Sequence, residues 1–167
     1  MGAMTFAHSG DGWAAGPGGV PAWGLYGAAG LFLLAGSKVL LQHRATWTNQ
    51  GDTWGIPGGA RDLHESAADA ALRETEEECG IAPSDVSVFH VVRTAGPYPP
   101  AGDLPGDWTY TTVLARTLDD APLPTVANNE SAELRWVELD EVESLPLLPA
   151  FRSAFSDLRD IVEASTA

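Results

Sequence analysis

Residues Ser66 to Gly80 read SAADAALRETEEECG, and few stretches leave a chain so little choice of conformation. Ala, Leu, Arg and Glu dominate it, all good helix formers, and neither Pro nor an interior Gly interrupts it. Ser66, with Asp69 three residues on, resembles a capping box that marks a helix start. Gly80 is a favoured residue just past a helix end. The spacing predicts a helix over Ser66–Cys79. At about 100° per residue, Glu74, Glu77 and Glu78 then fall at about 0°, 300° and 40°, one narrow face, whereas Glu76 points away at roughly 200°. Ala68, Leu72, Thr75 and Cys79 gather at roughly 100–160° and form the expected core-facing stripe, bordering the carboxylates but distinct from them.

This helix carries a local conflict. Like charges three and four residues apart cost a few tenths of a kcal/mol per pair. Carboxylates near a C-terminus also oppose the helix dipole. A solvated acidic face is the ordinary outcome of such a run. A hard cation held between the carboxylates would instead turn repulsion into attraction.

The overall charge agrees with a cation. Nine Lys and Arg against 23 Asp and Glu give a net charge of −14, which repels a polyanionic backbone, so no nucleic acid is expected as a partner. An acidic protein that handles phosphorylated compounds needs a divalent ion between itself and its ligand. One Cys makes no intrachain disulfide, and no apolar run approaches the roughly 20 residues of a membrane span. A soluble cytoplasmic protein without membrane contact is the expectation, and a homodimer stays open.

The 167 residues suit one domain, expected over residues 23–167. Residues 1–22, rich in Gly and Ala with no clear periodicity, read as a flexible arm. Leu31–Leu34 and Val39–His43 are apolar runs around the turn at 35–37, so two strands are expected there. The Gly-rich stretch around Trp54 and Ile56 reads as loop, short strand and loop. Residues 86–92, 109–115 and 132–139 have strand-like composition. After Pro149, Phe151, Phe155, Leu158 and Val162 recur at helical spacing. Residues 95–107 and 119–131 read as long loops of the kind that carry function.

From Gly59 to Ile81 the chain matches one longer pattern at Gly59, Glu65, Arg73, Glu74, Glu77, Glu78, Gly80 and Ile81. This resembles the Nudix box, with Thr75 departing from the usual apolar residue, and WGIPGG at 54–59 resembles the strand and loop that enter it. The resemblance spans about residues 24–165. It implies an α/β fold, a Nudix-type α/β/α sandwich with a mixed central β-sheet. It also implies a pyrophosphohydrolase that uses Mg²⁺ or Mn²⁺ and an activated water to cleave the pyrophosphate of a nucleoside diphosphate linked to another moiety.

By the same resemblance Glu74, Glu77 and Glu78 bind metal together with the Gly58 carbonyl. Glu74 is favoured as general base, with Glu77 the alternative. Arg73 orients the catalytic glutamates, and Glu65 supports the metal site indirectly. Glu130, ahead of Trp136, resembles an additional metal-binding glutamate. Arg44 resembles a substrate-phosphate-binding Arg. Tyr98 and Trp108 flank the Pro-rich loop and are candidates to stack on a nucleobase, whereas Trp54, Trp136 and Cys79 read as core. His43, His64 and His90 lack metal-ligand spacing. Pro97 resembles a cue of ADP-ribose pyrophosphatases and Tyr98 one of dinucleoside polyphosphate hydrolases. ADP-ribose or a similar derivative is the leading expectation, a nucleoside triphosphate such as 8-oxo-dGTP the rival. A non-catalytic nucleotide-sensing module is a third reading.

Overall fold

The computed structural model describes residues 9–166. Its framework is a seven-stranded mixed sheet carrying one long helix on each face. The strands are β3 (Ala28–Ala35), β4 (Lys38–Arg44), β5 (Trp54–Gly55), β6 (Gly58–Ala60), β7 (Val86–Tyr98), β8 (Trp108–Thr117) and β9 (Ser131–Glu138). They follow a hairpin of β1 (Trp13–Ala15) and β2 (Pro21–Trp23). The helices are α1 (Ala67–Cys79) and α2 (Pro149–Ser165).

Strand β3 is buried along its whole length, which explains its unbroken apolar run. Phe32 and Leu34 face α2, where they meet Phe151, Phe155 and Leu158, while Leu31 and Leu33 face α1 with Ala70, Ala71 and Cys79. The period of two along one strand thus supplies both halves of the core.

Strand β3 pairs in parallel with β8 from Ala28 through Leu34, and every other pairing in the sheet is antiparallel. Its hairpin with β4 closes at Gly36 and holds only at Leu34 with Val39 and Ala35 with Lys38. Beyond those pairs the two strands part. Strand β4 continues against β9 and β5, and β6 takes its place beside β3, with Gly58 opposite Gly30 and Gly59 opposite Ala29. Stretches read as loop are therefore sheet at two points. Gly58–Ala60 is a strand, and β7 extends through bulges to Tyr98, so the connection expected over 95–107 is shorter.

The N-terminal stretch also differs from its reading. The part expected to be a structureless arm contains the β1–β2 hairpin, tied down by Ala15 N–H to the Pro105 carbonyl at 2.8 Å and by Gly10 N–H to Asp62 Oδ1 at 2.9 Å. Both partners are distant in sequence, and local periodicity carries no trace of them. Residues 1–8 of the expected arm lie outside the described residues. Among the described residues no helix is long and apolar enough to cross a membrane.

Candidate active site

Helix α1 starts and ends as its sequence dictates. Ser66 Oγ accepts from Asp69 N–H at 3.0 Å, and Gly80 adopts φ 72° while donating to the Glu76 carbonyl. Its rotation about its own axis is another matter. The buried residues are Ala70, Ala71, Thr75, Glu78 and Cys79, whereas Leu72 and Ala68 are only partly covered. The core stripe expected beside the carboxylates but distinct from them therefore turns further toward them and takes in Glu78. Small Ala side chains and the glycines of β6 below let the helix lie close on this side. Thr75 fits the interior because its hydroxyl donates to the Ala71 carbonyl at 2.8 Å.

Gly59 lets the helix side chains approach, and Gly58 lets β6 lie close on β3. A Cβ on Gly58 would lie 2.3 Å from the Ala29 carbonyl oxygen, and a Cβ on Gly59 would lie 2.5 Å from the carboxyl carbon of Glu74. Backbone, not side chain, thus forms the floor under the acidic end of α1.

Glu78 is 2% exposed. Gln42 Nε2 donates to its Oε2 at 3.2 Å and also to Ser131 Oγ at 2.7 Å, and the Gly58 N–H donates to the same carboxyl. Burial first, then the charges of Glu74 and Glu130, push its pKa up to about 9. Glu74 is shifted upward as well, chiefly by burial, with Arg73 opposing and Glu77 and Glu130 adding. Glu77 remains solvent-facing.

Arg73 organises this group. Its Nε and Nη2 donate to Glu65 Oε2 and Oε1, each at 2.8 Å, and Nη2 also reaches the Ala60 carbonyl at 3.1 Å. Its Nη1 donates to Glu74 at 3.1 Å and lies 3.6 Å from Glu77. Hydrogen bonding to Glu65 holds the guanidinium pKa above its already high ordinary value and keeps the Glu65 carboxyl below its own. Glu65 thus acts on the site through Arg73.

The remaining expected residues lie at strand ends and in the connections beside them. Register places the start of β3 beside the start of β8, the end of β4 beside the start of β9, and Tyr98 opposite Trp108. Arg44 donates from Nε and Nη2 to the Asn49 carbonyl at 3.1 and 2.8 Å. The Glu130 carbonyl accepts from Ala45 N–H at 2.9 Å, which carries this exposed residue into the field of Glu74 and Glu78. Tyr98 and Trp108 stack on each other, ring centroids 6.1 Å apart and 21° between planes, and the Trp108 indole donates to the Trp23 carbonyl.

Two residues near the carboxylates escaped sequence reasoning. Gln42 interrupts the apolar run of β4, and a buried amide facing a carboxylate is the reason for that polar residue. Tyr110 places its hydroxyl where a Gly30 side chain would stand. Burial and Glu78 raise its pKa, with Arg44 opposing. Its β-strand composition gave no hint of this.

Among the described residues no three His, Cys, Asp or Glu side chains converge as a closed metal cage. The donor set nonetheless suits a hard divalent cation. Glu74 and buried Glu78 are carboxylates raised in pKa chiefly by burial, Glu78 also by the charges of Glu74 and Glu130 and Glu74 by those of Glu77 and Glu130, with solvent-facing Glu77 next along the helix. A cation would compensate their repulsion with oxygen ligands.

A carboxylate-bearing helix end, an ordered Arg and a glycine floor lie together within an α/β/α sandwich. The NUDIX domain family matches residues 25–158, and the chain belongs to the Nudix hydrolase family. It is 50% identical over 157 residues to the candidate 8-oxo-dGTP diphosphatase 3 of Mycobacterium tuberculosis, covering 90% of this chain and 69% of that protein. A nucleoside triphosphate pyrophosphatase/Nudix hydrolase fusion protein of Bifidobacterium longum is 40% identical over 86% of this chain and 30% of its own length. The crystal structure of the Nudix hydrolase RenU from M. smegmatis matches with a TM-score of 0.84 at 46% identity, covering 93% of this chain and 96% of that one. The chain is thus a Nudix-type pyrophosphohydrolase acting on a nucleotide-derived substrate.

Proposed function

We propose that the protein hydrolyses a nucleoside triphosphate of the 8-oxo-dGTP type to the monophosphate and pyrophosphate, with Mg²⁺ or Mn²⁺ as cofactor. The observation that carries the metal requirement is Glu78, a carboxylate withdrawn from water beside Glu74 and within the field of Glu130. The triphosphate assignment draws on the 50% identity to the M. tuberculosis protein. Expectation from sequence leaned to ADP-ribose through Pro97, and that diphosphate derivative stays as the second reading. The nucleotide-sensing module is disfavoured because Arg73, Glu74, Glu77 and Glu78 are all intact.

Glu74, Glu77, Glu78 and the Gly58 carbonyl would hold the cation, with Glu130 closing from the opposite loop. When bound, such an ion neutralises phosphate charge and acidifies water. The protein's own residues supply the rest. Glu74 accepts the proton of the attacking water, and its burial raises its basicity toward that task. Arg73 fixes that carboxylate in place, and Glu65 fixes Arg73. Arg44 offers the substrate phosphates a positive charge on a protein of net charge −14.

A panel of nucleoside triphosphates and diphosphate derivatives, assayed with Mg²⁺, tests this. Monophosphate release fastest from a triphosphate supports it, and Glu77→Gln should lose most of the rate. Full activity of Glu77→Gln, or activity in excess chelator, overturns the mechanism. A clear preference for ADP-ribose overturns the substrate.

A further inference from the structure

The β1–β2 hairpin carries two exposed tryptophans, Trp13 and Trp23. Together with Asn49, from the β4–β5 connection, and Leu104, from the β7–β8 connection, it encloses an open cleft of about 420 Å³ lined by Trp13, Val20 and Pro21. That volume lies within the roughly 300–1,000 Å³ typical of small-molecule sites. Trp13 is 45% exposed and Val20 63% exposed, so an aromatic and an aliphatic side chain face solvent on a highly charged protein. Trp13 is braced in place by Trp23, edge to face, with centroids 5.0 Å apart. Among the described residues no carboxylate lines the cleft.

We propose that this cleft is a nucleobase subsite in which Trp13 stacks on the base and the Asn49 amide reads its edge. This rests on the nucleotide reading given above. Three observations favour a base over another apolar ligand. An exposed indole offers a planar face at low entropic cost. An Asn amide carries a donor and an acceptor side by side, the pattern that matches the edge of a purine. Asn49 also accepts both guanidinium bonds of Arg44 through its backbone carbonyl, so one residue joins the cleft to the phosphate-binding candidate. Arg44 is followed by Ala45, whose N–H donates to the Glu130 carbonyl at 2.9 Å. A purine, with its larger stacking area, should bind more tightly than a pyrimidine.

The experiment uses the full chain carrying Glu77→Gln, titrated with GMP, with CMP and with ribose 5-phosphate, and followed by the Trp13 indole and Asn49 side-chain amide signals in NMR. Both signals should move with GMP, move less with CMP and stay in place with ribose 5-phosphate. In the otherwise unaltered enzyme Trp13→Ala should raise KM for the preferred nucleotide about tenfold while kcat stays within about twofold. Trp13→Phe should restore most of the affinity, which a mere loss of folding would not allow. Unchanged KM in Trp13→Ala and Asn49→Ala, or equal shifts with ribose 5-phosphate, overturns the subsite and leaves the hydrolysis untouched. Intact GMP shifts in a protein that cleaves no nucleotide would overturn the reaction and leave the subsite standing.

Discussion

Arg73 grips Glu65 with two parallel hydrogen bonds of 2.8 Å while its third nitrogen holds Glu74. The planar fork is what makes this double task feasible, and Lys cannot reproduce it. Arg73→Lys should lower kcat about 10–100-fold with a smaller change in KM, as measured by steady-state kinetics on the preferred nucleotide.

The same pair sets an acid-side stability limit. Glu65 has a folded pKa below its ordinary value because Arg73 donates to the charged form. Its contribution is therefore fully present above the ordinary value of 4.5 and is lost as pH falls through the depressed one. Urea unfolding of wild type and Glu65→Gln should differ clearly at neutral pH and converge in acid. A constant difference across that range would disprove the linkage.

Glu78 places a carboxylate where water cannot reach it, 2% exposed. With its pKa pushed up to about 9, Glu78 must take up a proton when the metal-free chain folds at neutral pH, a cost that Glu78→Gln removes, so the variant is expected to raise Tm by a few degrees in chelator while abolishing activity. Mg²⁺ or Mn²⁺ should raise Tm of the wild type and not of the variant, read by thermal unfolding with and without the ion.

Gly58 and Gly59 should respond differently to the same substitution. Gly59→Ala meets the end of the Glu74 side chain, which can swing away, so kcat should fall at least about tenfold with little change in Tm. Gly58→Ala meets main-chain atoms of Ala29 and Gly30, and should destabilise the fold by about 1–3 kcal/mol in urea titrations.

Cys79 is fully buried under α1, and burial followed by the charge of Glu78 pushes its thiol up to about 12. Thiol reagents should leave the native protein unmodified. Labelling should begin at the denaturant concentration that unfolds the chain, measured by mass spectrometry across a urea series.

How much of this was legible depended on distance along the chain. Both ends of α1 could be read because Ser66 and Gly80 act on their immediate neighbours, and the helical spacing of Phe151, Phe155, Leu158 and Val162 pointed to α2 for the same reason. The rotation of α1 could not be read. It depends on what lies beneath the helix, where Gly59 leaves room for Glu74 and Glu78 turns inward with Gln42 as its partner. The hairpin at Trp13–Trp23 was hidden for a similar reason, since Pro105 and Trp108, far along the sequence, hold it. Tyr98 and Trp108, expected to stack on a nucleobase, stack on each other.

The early parting of β3 from β4 separates two kinds of evolutionary freedom. Below the acidic helix the floor is main chain, drawn from β6 and the start of β3, and side-chain variation cannot readily reshape it. Around the cleft Asn49 and Leu104 come from two separate connections and Trp13 from the N-terminal hairpin, each replaceable without disturbing the seven-stranded sheet. Such a scaffold can trade one leaving group or base for another by altering loops while its hydrolytic chemistry stays fixed.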